Sequence, residues 1–286
     1  MKDLRRAWQY CKYRFLKWKE NRKLQVILIL LGILLYQYTA GIRTMTKLTG
    51  VSISPFFLPF FFSDYLIAMG LVKIFILLAL IVLFCNISNM SAEKYYFIIR
   101  TGRKDWIIGD VLYIGLSSLL YTLLIFLASI VFFLPRVQMT SGWGKIIGTL
   151  AYTDASQQYG ELFNIPSRVI EMYQPASAVG ITLVLMVLGF FFLGLLIYTL
   201  NLITRTIIVG VCCAGALVFM CPLITNMGFP GPYWFSPMTW MSIGSLAPIQ
   251  SERYPGVLYA ILMYLLLSGI LLFVLYCYRK KVQIGG

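Results

Sequence analysis

The chain has 286 residues, of which 60% are hydrophobic and only 12% charged, and its mean hydropathy is +0.83. Soluble domains are about half apolar and about one quarter charged, so water alone cannot be the solvent for this chain, and part of its surface must face lipid. The net charge of +14 invites a nucleic-acid reading, but the Lys and Arg lie in short segments beside apolar runs, where they set topology and meet anionic membrane lipid; no nucleic-acid partner is expected.

Other functional classes are excluded by what is missing. The chain has no His, the commonest general base and metal ligand. Its six cysteines, Cys11, Cys85, Cys212, Cys213, Cys221 and Cys277, show no CxxC spacing and fall mostly in apolar runs. That pattern predicts neither a disulfide framework nor a metal site. Clustered carboxylates are absent as well, so the chain is not expected to be an enzyme.

The first predicted element is an amphipathic helix over 1–23. Leu4, Trp8, Cys11, Phe15 and Trp18 recur at spacings of four and three and share one helical face, with most of the cations elsewhere around it. Such a helix suits the plane of the membrane interface. It serves either as a topology anchor or as a partner-binding element. The segment is long and highly charged, unlike a cleaved signal peptide.

Six runs are long and apolar enough to span: about 24–42, 65–87, 106–134, 177–200, 206–224 and 256–278. The fourth and fifth are joined by a few residues around Arg205, which predicts a tight helical hairpin. With six spans, seventeen of the 24 Lys and Arg fall on one side, in 1–24, 88–105, 201–205 and the tail after 278, and six on the other. The positive-inside rule then places both termini in the cytoplasm.

Between the second and third spans, residues 91–101 predict a short cytoplasmic helix. Ser91 is a candidate N-cap, Glu93 suits the first turn, and Gly102 is a stop signal. The helix is too polar to span yet carries Tyr95, Tyr96, Phe97, Ile98 and Ile99, which mark either a protein interface or a headgroup-lying face. Residues 135–176 predict a small outer loop without visible chemistry. Residues 227–250 are apolar and aromatic but broken by Pro and Gly, which predicts a re-entrant outer segment rather than a span.

Two ionisable residues lie inside predicted spans. Lys73 sits about two turns into the second, where it either snorkels outward or lines a pathway. Asp110, about one turn into the third, is expected to reach the cytoplasmic interface. Gly142-Trp143-Gly144-Lys145 lacks the spacing of a phosphate loop, so ATP hydrolysis is not expected on this chain.

Taken together, the all-α, six-span pattern resembles the membrane subunit of an ABC-2 type (type V) ABC exporter, with an amphipathic N-terminal helix, a helix between spans two and three, and a re-entrant segment between five and six. The Arg100-Thr101-Gly102-Arg103-Lys104-Asp105-Trp106 stretch and the Ser236-Pro237-Met238-Thr239-Trp240 turn are similar to segments of bacterial permeases of this kind. The resemblance covers nearly the whole chain. The loop 135–176 is longer than in the barest members, and no nucleotide-binding domain is fused.

The resemblance implies a permease of the bacterial plasma membrane that pairs with a second copy or a related permease. A separate ATPase subunit, carrying Mg-ATP, would dock on a coupling helix over 91–101 through Glu93, Lys94, Tyr95, Phe97, Arg100 and Arg103. Trp8, Phe15 and Trp18 would belong to the interface helix; Lys73, Pro237 and Trp240 would lie on the pathway or the re-entrant segment. No cofactor is expected on this chain. The implied activity is outward movement of an amphiphilic cargo, peptide or lipid-like. The alternatives are an ATP-independent carrier and a membrane accessory or immunity protein.

Overall fold

The structure, a computed structural model, describes residues 2–19, 21–62, 71–88, 92–153, 158–159 and 165–279. Among these residues it is all-helical, and the only strand-like pairings are two isolated bridges, Ile53 with Val137 and Ala247 with Gly256.

The helices run in chain order α1 (Lys2–Leu16), α2 (Arg22–Tyr38), α3 (Ala40–Thr49), α4 (Leu71–Phe84), α5 (Ala92–Thr101) and α6 (Arg103–Val131), then α7 (Gly144–Tyr152), α8 (Ser167–Met172), α9 (Pro175–Thr204), α10 (Ile207–Met227) and α11 (Val257–Tyr278). Four of these, α6, α9, α10 and α11, are long and apolar enough to cross a membrane, and α2 with α3 makes a fifth if the bent pair is one span. The chain is therefore a multi-pass membrane protein.

Helix α4 has 14 residues, about 21 Å of rise, short of a hydrocarbon core of about 30 Å. The N-terminal part of the expected second span, 65–70, lies outside the described residues.

The expected first span, 24–42, is corrected at its C-terminal end. The helix bends by 45° at Thr39 and continues to Thr49. The bend has a local cause. The Thr39 hydroxyl donates to the Tyr36 carbonyl at 2.9 Å, and Arg43 Nη2 donates to the same oxygen at 2.5 Å. Side chains thus serve a carbonyl that the helix ladder would otherwise use, which opens the turn. The Arg43 guanidinium lies 3.3 Å from the Tyr36 ring centroid, which holds it there.

Helix α9 is the centre of the bundle. Fifty-six per cent of its most apolar stretch is buried, against 17% for α11, and it packs on α4, α6, α10 and α11. Lipid offers no hydrophobic drive for one apolar helix to meet another, so close van der Waals approach at small residues has to supply the contact. Gly194 does this: a Cβ there would stand 2.6 Å from Ile114 of α6 and 2.8 Å from Phe84 of α4.

The α9–α10 hairpin is as tight as the sequence predicts. Arg205 adopts a left-handed conformation at the end of α9, and Asn201 Oδ1 accepts from the Gly210 amide at 2.8 Å. Asn201 also donates through Nδ2 to the Cys85 carbonyl at 3.5 Å, tying the end of α4 to the hairpin.

At the far end of the bundle, residues 228–256 form no α-helix. They fold into 3-10 turns over Gly231–Phe235, Thr239–Met241 and Ile243–Ser245. Irregular backbone beside lipid needs protein partners, and aromatic side chains provide them. Trp240 Nε1 donates to the Tyr233 carbonyl at 2.6 Å, the Tyr259 hydroxyl to the Trp234 carbonyl at 2.8 Å, and the Tyr264 hydroxyl to the Pro237 carbonyl. The expected outer loop 135–176 contributes α7 and α8; Arg168 of α8 donates to the carbonyls of Ile249 and Gln250 at 3.1 and 2.9 Å and so braces the same turns.

Candidate functional site

The N-terminal helix buries part of the expected stripe, Cys11, Phe15 and Trp18, on a face rotated away from Trp8. Its buried positions are Ala7, Tyr10 and Cys11, with Arg14, Phe15 and Trp18 half-buried. These recur at i, i+3, i+4 and i+7, a helical stripe. Trp8, an expected stripe member, is instead 50% exposed, and the side chain of Leu4 lies outside the described residues. The reason is packing against α6. A broad aromatic stripe in the membrane plane would bury apolar surface only in lipid, whereas this face meets protein and can satisfy its polar groups.

The partner surface is the first two turns of α6. Gly109 lets α1 approach closely: a Cβ there would stand 2.7 Å from Tyr10 Cδ1 and 3.1 Å from the Ala7 carbonyl. Beside it, Asp110 is fully buried and forms an ion pair with Arg14 at 3.1 Å. Arg14 Nη1 also donates to the Tyr10 hydroxyl and to the Ile87 carbonyl, each at 3.3 Å. The guanidinium lies 4.8 Å from the Tyr113 ring centroid, and Trp18 Nε1 donates to the Tyr113 hydroxyl at 2.7 Å. Asp110 also acts electrostatically on the buried Tyr198 hydroxyl of α9. One cation thus joins α1, the chain beyond α4, and α6.

The electrostatics follow from that burial. Desolvation alone would lower the Arg14 pKa, but Asp110, then Tyr10 and Tyr113, outweigh it, so the net direction is upward and Arg14 stays charged. Burial, aided by Asp110, raises the Tyr10 hydroxyl above its ordinary value. It pushes the Cys11 thiol from 9 up to about 11, so Cys11 is a neutral thiol at physiological pH.

Helix α5 joins this cluster through one residue. The Phe97 ring lies 4.4 Å from the Tyr10 ring, centroid to centroid. Ile98 is buried, whereas Tyr96, Ile99 and Arg100 are exposed, Tyr96 and Ile99 to 80% and 75%. Those three positions, at i, i+3 and i+4, share a face. The short helix therefore has an inner apolar side and an outer side that carries apolar groups without cover. Arg103, beyond Gly102, is half-buried at the start of α6. Glu93, Lys94 and Tyr95 belong to α5, but their side chains lie outside the described residues.

The remaining candidates are elsewhere. Lys73, near the start of α4, is only 5% exposed, with Nζ 5.9 Å from the Phe62 ring centroid. It does not snorkel out. About 16 Å of helix rise separates it from Phe84 at the other end of α4, so it lies at the opposite end of the bundle from Ile87. Pro237 and Trp240 are also there; Trp240 is fully packed between Tyr259 and Tyr264, with ring centroids 5.6 and 5.4 Å away. The candidates thus form two sets at opposite ends.

Sequence reasoning missed Arg14, Tyr10 and Tyr113, and it expected Asp110 to reach the interface. A usable signal was present. A carboxylate inside an apolar span requires a cation, and Arg14 shares a helical face with Cys11 and Trp18. The chain matches no protein-family model, no curated protein and no solved structure.

Proposed function

We propose that this chain is the membrane-spanning subunit of an ATP-driven exporter, with six spans and its basic end in the cytoplasm of a bacterial cell. What supports this reading most is the continuous contact from an exposed short helix into the bundle: α5 touches α1 through Phe97 and Tyr10, and α1 is ion-paired to α6 through Arg14 and Asp110. Such an arrangement converts a push on α5 into movement of a spanning helix, because packed side chains transmit displacement rather than absorb it.

In this mechanism a separate ATPase subunit sits on the exposed side of α5. Tyr96, Ile99 and Arg100 supply apolar contact and a bidentate donor, with Arg103 and the expected contacts Glu93, Lys94 and Tyr95 around them. Phe97 faces the other way and acts as the transmitting contact. Closure of two ATPases on Mg-ATP drives α5 and α1 of two permease copies. The amphiphilic cargo, peptide or lipid-like, then moves outward along the surface between the copies. The largely apolar, aromatic character of the spans supports such a cargo better than a sugar or an ion.

Co-purification from native membranes tests the proposal. A Walker-motif ATPase is expected to accompany the intact chain. The triple variant Tyr96→Ala, Ile99→Ala, Arg100→Ala is expected to weaken that complex by at least about thirtyfold, an ordinary loss for a hot-spot cluster, without changing the protein's own elution. If no ATPase accompanies the intact chain, the exporter reading is wrong, and a carrier or an accessory protein takes its place.

A further inference from the structure

At the basic end of the bundle, α6 and α11 both pack on α9 and make little contact with each other. A groove of about 240 Å³ remains between them. Its walls are apolar, formed by Ile108 and Val111 of α6 and by Leu272 and Leu275 of α11, and Lys104 and Arg279 stand at its end. The spacing makes this arrangement unavoidable. Lys104, Ile108 and Val111 recur at four and three along α6, and Leu272, Leu275 and Arg279 at three and four along α11. The helices are antiparallel, so the first turn of one and the last residue of the other meet at the same depth.

We propose that this groove binds an anionic phospholipid, its phosphate held by Lys104 and Arg279 and its acyl chains lying along the apolar walls. Both cations stand at helix ends, the level at which headgroups lie. The Arg279 guanidinium lies over the Tyr276 ring, 3.8 Å from its centroid. A contact through the ring face restrains the side chain and leaves its N–H donors for a phosphate. The end of α11 is fixed in place, because the Tyr278 hydroxyl donates to the Ile203 carbonyl of α9 at 3.4 Å. Asp105, the acidic residue of the same turn, is buried and does not line the groove. Charge complementarity favours an anion over a second copy of this chain docked through the same groove. In the same membrane orientation it would set its own cations against these at equal depth. A basic pocket between spanning helices is the chemistry that retains anionic headgroups.

Native mass spectrometry of the full chain, exchanged from neutral detergent into phosphatidylglycerol or phosphatidylcholine, tests the site. Phosphatidylglycerol is expected to be retained at least about tenfold more strongly. Replacing two basic residues at a headgroup corresponds to roughly thirtyfold in affinity, so Lys104→Gln with Arg279→Gln should abolish the preference. Exchanging two exposed cations of α1, Arg6→Gln with Lys12→Gln, should not. Ile108→Trp, which fills the groove without removing charge, should also reduce retention and gives an independent readout if the charge variant folds poorly. Equal retention of both lipids, or loss in the α1 variant to the same extent, overturns the proposal. Competition by inorganic phosphate as effective as by lipid makes this an anion site without acyl recognition. A change of oligomeric state in Ile108→Trp with lipid retention intact makes it a protein interface.

Discussion

The Arg14–Asp110 pair is the strongest single constraint at the basic end. Asp110 is fully buried and Arg14 is 15% exposed, so the carboxylate has no water to fall back on and the guanidinium little. Removing one partner of a buried pair costs about 3–5 kcal/mol, because the other is left uncompensated, whereas replacing both by well-packed apolar groups is often close to neutral. Arg14→Met and Asp110→Leu are therefore each expected to destabilise the protein strongly in detergent unfolding, and the double variant to recover most of the loss. Additive losses in this cycle would mean that the two charges do not depend on each other. The same reasoning explains why Arg14 was not legible as a pairing residue from its own segment. Within 1–23 only its place on the face of Cys11 and Trp18 sets it apart from its eight neighbouring cations, and that becomes a pairing only when a carboxylate is brought opposite.

At the scale of elements, the position of α1 is decided by which of its faces finds a complement. Apolar periodicity places a stripe through Trp8, Cys11, Phe15 and Trp18; docking on α6 keeps Cys11, Phe15 and Trp18 on the inner side but turns Trp8 out and Tyr10 and Arg14 in, because Gly109 leaves room for Tyr10. Cys11 reports this docking. Its raised pKa favours the neutral thiol in the docked helix, so that contribution is complete below about pH 9 and is lost as pH rises through about 11. At pH 8 the thiolate population is about a hundredfold below that of an ordinary cysteine. Alkylation of Cys11, followed by peptide mapping, is expected to be correspondingly slow at pH 8 and to accelerate near pH 11. Gly109→Val, which pushes Tyr10 away, should make Cys11 react at pH 8. Equal rates in both proteins would show that α1 does not depend on this approach.

At the scale of the whole molecule, the two candidate clusters mark the two ends of the bundle. One end carries α1, α5 and the cations around Lys104 and Arg279; the other carries the aromatic turns of 228–256 with α7 and α8. The asymmetry of charge gives an expected orientation, basic end inside. In a background without native cysteines, Met139→Cys, at a residue 81% exposed beyond α6, is expected to react with a membrane-impermeant maleimide in intact cells. Arg6→Cys, on the exposed side of α1, should react only after lysis. The opposite pattern would invert the molecule and remove the cytoplasmic ATPase from contact with α5.

Composition and hydropathy by themselves determined that the chain lives in a membrane and is helical. They also located α6, α9, α10 and α11 to within a few residues, because a span must satisfy its own backbone and be apolar along about 20 residues, both local properties of the sequence. The hairpin at Arg205 was legible for the same reason: two spans with no room for a loop must turn back. Only the tertiary structure decided which face of α1 is buried, that Arg14 meets Asp110, that Lys73 stays inside, and that α2 bends at Thr39. Each of these depends on a partner distant in the chain or on competition for one carbonyl, and a side chain's periodicity says where it points on its own helix but not what will stand opposite.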